Sequence, residues 1–175
     1  MAAISKELLQ SWAGLYCRIW QEPPWNENFW RPESVVEDFR REMARPDALA
    51  FLALNDRSAV IGFTQGYSVS QIELREIAGS SLLDFLFVEN ERIYYVDELG
   101  VDSSYRGNHL SLRLSRALID EVRSRGIKQV ILRTDIQALA ARHVYRELGF
   151  KELSTHDIKY PTRTYWSLTL NSSVL

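Results

Sequence analysis

Cysteine is almost missing: Cys17 is the only one in 175 residues. A lone thiol excludes an intrachain disulfide and a paired-cysteine zinc site. Its place in an apolar helical pattern reads as a small buried hydrophobe rather than a reactive thiol. Long apolar runs are missing too, none approaching the ~20 residues that span a bilayer. Lys6 and Glu7 sit in a periodic pattern, not in a continuous apolar stretch with a cleavage site. These absences predict a cytoplasmic protein with no membrane partner. Charge of one sign is also scarce: 21 Lys and Arg against 23 Asp and Glu leave a formal −2, interspersed along the chain. No basic block gives the footprint of a nucleic-acid binder. The three histidines are scattered without carboxylate spacing, so no metal site is expected. Neither a G-x-S-x-G elbow nor a G-x-x-x-x-G-K-[ST] loop occurs, which leaves hydrolase and NTPase readings unsupported.

What is present is ordinary for a globular chain: 46% hydrophobic and 25% charged residues, at the size of one domain spanning 1–175. Leu8, Leu9, Trp12, Leu15, Tyr16 and Ile19 recur at helical spacing and predict a helix over 4–20, stopped by Pro23 and Pro24. The aromatic segment from Trp25 to Trp30 follows as a loop. Pro32 suits the first turn of a second helix, which carries Val35, Val36, Phe39 and Met43 and runs to Ala44. Residues 48–54 and 59–68 flank the turn-rich tetrad 55–58 and predict an antiparallel hairpin. Residues 70–88 read either as one broken helix or as two short pieces around Gly79. A central strand is expected over 93–101. A helix with Leu110, Leu114, Leu118 and Val122 on one stripe follows, capped by Gly126. Residues 129–132 form a short buried strand, 137–148 a helix, and 150–153 with 164–170 a terminal strand pair. The alternation predicts an α/β domain.

The segment Asp97 to Ser111 joins a strand to a helix. A helix amino terminus presents unpaired N–H groups and roughly half a positive charge, which suits phosphate oxygens. Arg106 adds a cation, and Gly107 lets the backbone come close. From these residues alone, a diphosphate cradle and a plain strand-to-helix turn both stay open.

The run from Tyr94 to Phe150 resembles two motifs of the GNAT acetyltransferase superfamily. Leu99, Val101, Tyr105, Arg106 and Gly107 match its first motif, and Ala141, Tyr145 and Leu148-Gly149-Phe150 match its second. His109 and Ser111 stand where the first motif usually has small residues, and Ala138 where an asparagine is common. The resemblance implies a mixed central sheet with helices on both faces, splayed between its two central parallel strands. It implies acetyl-CoA as cofactor, its arm on the backbone of Leu99, Gly100 and Val101. The pyrophosphate would lie on the N–H groups of Arg106, Gly107, Asn108, His109, Leu110 and Ser111. The partner is then an amine acceptor, small molecule or peptide, with a homodimer among the admissible assemblies.

The chemistry needs a neutral amine. At a reference pKa near ~10.4, producing one at pH 7 requires about 4–5 kcal/mol. Glu98 is the preferred general base and Asp97 the second choice; strict alternation lets only one of them face the cleft. A carboxylate merely paired with an arginine is the plainer reading. By resemblance Tyr145 donates a proton to the leaving thiolate; on residue type alone it equally fills a core. Trp25, Glu27 and Trp30 read either as an acceptor-binding wall or as a clasp between helices, and Tyr165 and Trp166 as further candidates for that cleft. A non-catalytic acyl-CoA-binding module and an aromatic interaction domain are the rival readings.

Overall fold

The computed structural model describes residues 4–78, 80–86 and 92–170. Helix α1 (Lys6–Gln21) starts at Ser5, whose hydroxyl accepts from the Leu8 N–H, and α2 (Pro32–Met43) carries proline in its first turn. Strands β1 (Leu49–Leu54) and β2 (Val60–Val69) form the expected hairpin. Its turn is held by Asn55, whose side-chain oxygen accepts from the N–H groups of Arg57 and Ala59. The next segment takes the two-piece form: α3 (Gln71–Ala78), then a 3-10 helix (Ser80–Phe85). Gly79 and positions 87–88 lie outside the described residues. Strand β3 (Ile93–Val101), helix α4 (Leu110–Ser124), strand β4 (Gln129–Asp135) and helix α5 (Leu139–Glu147) follow. Strands β5 (Lys151–His156) and β6 (Arg163–Thr169) close the chain.

The six strands make one mixed sheet in the order β1-β2-β3-β4-β6-β5, with only β3 and β4 parallel. Alternation along the strands fills a layer on each face. Tyr94, Val96, Val130 and Leu132 pack with Leu118 and Val122 of α4 and Tyr145 of α5. On the other face Phe63 packs with Trp12, Leu15 and Tyr16 of α1 and Phe39 of α2. Tyr95, Ile93 and Ile131 pack with Leu74 and Ala78 of α3. Each fully buried aliphatic side chain in these layers contributes about 1.5–3 kcal/mol. Cys17 is buried among the second group, as expected of a small hydrophobe.

Two irregularities position everything that follows. First, Gly66 pairs with Val96 and Gln65 with Glu98, so Asp97 is an extra residue in β3, a β-bulge. Second, β3 and β4 pair only from Ile93–Gln129 to Val96–Leu132, although β3 runs on to Val101 and β4 to Asp135. The parallel strands therefore part at the bulge. This is the expected splay. A bulge bends its strand and increases local twist, which turns β3 away from β4. Gly66 permits the close pairing: a Cβ there would lie 2.4 Å from the Tyr95 carbonyl oxygen. Gly66→Ala should therefore destabilise the fold by about 1–3 kcal/mol. At roughly 2–4 °C of Tm per kcal/mol for a chain of this size, thermal unfolding would register it.

Candidate active site

Where β3 and β4 separate lies a cavity of about 670 Å³, within the range of small-ligand sites. Its walls come from the end of α1, the loop through Trp25, residues 97–101 of β3, the turn before α4, the end of β4, and α5.

The turn supplies the first half of the site. The N–H groups of Gly107, Asn108, His109, Leu110 and Ser111 have no acceptor among the described residues; Arg113 is the first whose N–H reaches back, to the His109 carbonyl at 3.0 Å. Gly107 has φ +80°, and a Cβ added to it would meet nothing within 4 Å. His109 caps α4 in the left-handed region at φ 56°. Glycine adopts that conformation most readily, and histidine is among the few other side chains that tolerate it. Its imidazole is exposed at the cavity wall, and the groove beside it stays open. Ser111 also lines the cavity; Asn108 does not. Arg106 is held on two sides, donating from Nε to the Val101 carbonyl at 3.0 Å and pairing with Glu22 at 2.7 Å. Unpaired N–H groups at a helix start, open space at Gly107 and the free edge of β3 together fit a diphosphate with an extended arm.

The carboxylates form the second half, and here the alternation argument needs correction. Asp97 and Glu98 both line the cavity, because the bulge turns two successive residues to the same side. Tyr16 donates to Glu98 Oε1 at 2.9 Å, and Tyr67 donates to Asp97 Oδ2 at 3.0 Å. Burial, then the charge of Asp97, holds Glu98 well above the usual carboxyl range. Burial also raises Asp97, against the hydrogen bond from Tyr67. A third carboxyl, Glu42 of α2, accepts from Gln65 Nε2 at 2.5 Å and lies close enough to Asp97 to feel its charge. Burial and the charge of Asp97 push Glu42 up to about 8. None of the three is in an ion pair among the described residues: the neighbouring Arg45 and Arg133 are taken by Glu73 and Asp157, each at 2.5 Å. Glu42 sits seven residues after Val35 on the stripe Val35–Phe39, so a charged residue on an apolar helix face was the available signal.

Tyr145 packs its ring against Phe150 and Trp166 and still lines the cavity. No hydrogen bond holds its hydroxyl among the described residues, where burial and the charge of Glu98 alone act on it. Burial first, then the charge of Glu98, raises its pKa, so the phenol keeps its proton at neutral pH. Trp25 lines the cavity, whereas Glu27 and Trp30 stand outside its wall. Glu27 accepts from Trp30 Nε1 at 2.7 Å and from Arg163 at 2.9 Å, and Arg163 lies over the rings of Trp25 and Tyr160. The pair is therefore a clasp between the α1–α2 loop and β6. Tyr165 and Trp166 are sealed in the interior and do not reach the cleft. His143 lies exposed at the cavity wall. No group of three His, Cys, Asp or Glu among the described residues could hold a metal ion, and no described helix is long and apolar enough to cross a membrane.

Comparisons with known proteins agree with the fold. The chain is 32% identical over 136 residues to a mycothiol acetyltransferase of Amycolatopsis mediterranei (strain U-32), a match covering 75% of this chain and 41% of that protein. It thus spans about two fifths of the length of that relative. In fold it is similar to Arabidopsis thaliana NAA60 solved with a bisubstrate analogue, with TM-score 0.71, 16% identity and 97% of each chain covered. It is also similar to the PaiA N-acetyltransferase of Thermoplasma acidophilum solved with coenzyme A, with TM-score 0.69, 15% identity and 95% of each chain covered. The model of the "Acetyltransferase (GNAT) family" matches residues 9–150, most of the chain, and the protein belongs to that family.

Proposed function

We propose that the protein is an N-acetyltransferase that moves an acetyl group from acetyl-CoA to a primary amine of a peptide or small molecule. One observation supports it above the rest: a free strand edge leading into five free N–H groups shares its cavity with Glu98 and Tyr145. Acetyl-CoA would supply the thioester. The N–H groups from Gly107 to Ser111 would hold its diphosphate, and the backbone of Leu99, Gly100 and Val101 its arm. Glu98 takes a proton from the incoming ammonium, so that a neutral amine meets the thioester carbonyl. Tyr145, protonated and without a hydrogen-bond partner among the described residues, gives a proton to the sulfur as the carbon–sulfur bond breaks, and the second proton lost by the nitrogen as the amide forms restores the phenol. Trp25 walls the acceptor side.

Thermal unfolding with CoA and acetyl-CoA tests the cradle. At a ligand concentration of 100 times Kd the expected stabilisation is about 2.7 kcal/mol, a Tm rise of roughly 5–10 °C. Thiol release over an amine panel tests transfer. A shift without thiol release would mark a non-catalytic acyl-CoA-binding module, and no shift at millimolar cofactor would remove both readings.

A further inference from the structure

The acid cluster contains more than one base needs. Glu98 alone can accept the reacting proton, yet Asp97 lines the same cavity, the charge of Glu42 reaches Glu98 as well, and neither is in an ion pair among the described residues. Behind them Gln65 is only 2% exposed. Its Nε2 is committed to Glu42, and its Oε1, an acceptor, has no partner among the described residues. A buried acceptor left unpaired costs about 1–3 kcal/mol, so a donor is expected at this position. The described acidic residues do not close into a metal shell. An ammonium group differs from a metal in bringing three N–H donors on one cation, which suits carboxylate and amide oxygens at hydrogen-bond spacing. Glu98 and Asp97 line the cavity, and Gln65 stands directly opposite Glu98 in the β2–β3 register while its amide reaches Glu42, which joins the two regions.

We propose that Asp97, Glu42 and the side-chain carbonyl of Gln65 form a second ammonium subsite beside the reacting amine, so that the preferred acceptor carries two cationic nitrogens. This rests on the acyl-transfer reading for the identity of the first amine. Asp97 touches the acceptor directly, and Glu42 and Gln65 set its specificity.

The test compares α,ω-diaminoalkanes of three to six carbons with n-alkylamines of the same lengths, by calorimetric binding and by kcat/KM for thiol release from acetyl-CoA. The wild-type protein should favour one diamine length over its monoamine by at least about tenfold in both readouts, on the order of 1.4 kcal/mol. Glu42→Gln and Gln65→Leu, each checked for folding by thermal unfolding, should bring that ratio below about threefold. Equal binding of diamines and monoamines to the wild type overturns the subsite, and so does a ratio kept in both variants. A diamine bound tenfold more tightly without thiol release upholds the subsite and removes the acyl-transfer reading. Thiol release at equal rates from both amine series does the reverse.

Discussion

Glu98→Gln should lower kcat/KM for an amine acceptor by on the order of 10²–10³-fold near neutral pH. The substitution keeps the side chain's size and leaves a carbonyl oxygen to accept from Tyr16. It removes the site that takes the proton. The sign of the pH effect follows from burial and the charge of Asp97, which raise the Glu98 pKa above its ordinary value. Below the raised pKa both proteins lack a base, and their rates should converge. As pH climbs through it, the wild type gains a carboxylate and the variant gains nothing. At still higher pH the amine ionises by itself and the gap narrows again. Profiles of kcat/KM against pH check this, and a variant retaining the wild-type acid limb would place the base elsewhere. Stability provides the control. A carboxyl whose folded pKa is raised favours the fold below its unfolded pKa, near ~4.3, and loses that contribution as pH rises through the folded value. Glu98→Gln should therefore be at least as heat-stable as the wild type at pH 8, so lost activity cannot be blamed on unfolding.

Tyr145→Phe should reduce the single-turnover rate by about 10²-fold while leaving the Kd for CoA within about threefold. The ring contacts with Phe150 and Trp166 persist in phenylalanine, and no hydrogen bond to another described residue is lost. Only the proton for the departing sulfur disappears. A single-turnover measurement matters because product release can hide a slowed chemical step in kcat. Activity within about twofold of wild type would return Tyr145 to a packing role.

These expectations were legible in the chain to unequal degrees. The stripe from Leu110 to Val122 and the strand–turn–helix around Arg106 depend on neighbours in sequence, so periodicity and motif spacing reveal them. Strand β4 was expected to end at Leu132 because its apolar run ends there; β6 keeps pairing with it to Asp135, and of the added residues Arg133 and Thr134 line the cavity. The helix expected over 137–148 begins only at Leu139, since Asp135 accepts from the Gln137 N–H in a turn first. The bulge could not be seen. It arises from a pairing between Gly66 and Val96, thirty residues apart, and it overturns an alternation rule that is sound for a regular strand. Glu42 was overlooked for a related reason: a glutamate in a charged helix resembles a solvated side chain until β3 is placed against it. Trp25, Glu27 and Trp30 form one aromatic cluster in sequence, but only the Arg163 clasp separates the cavity wall from its support.

The extra residue in β3 gives that strand a phase. Deleting Asp97 is a different kind of change from any substitution there, because Val96 and Glu98 would become neighbours on opposite faces, as in a regular strand, and Glu98 to Val101 would keep the sides they have. The ladder with β2 would run straight through, and the bend that parts β3 from β4 would be lost. The interior layers, fixed by Ile93 to Val96, would keep their partners. The carboxyl of Glu98 would stay on its face while the gap that admits the thiol arm closed, in a chain that still folds.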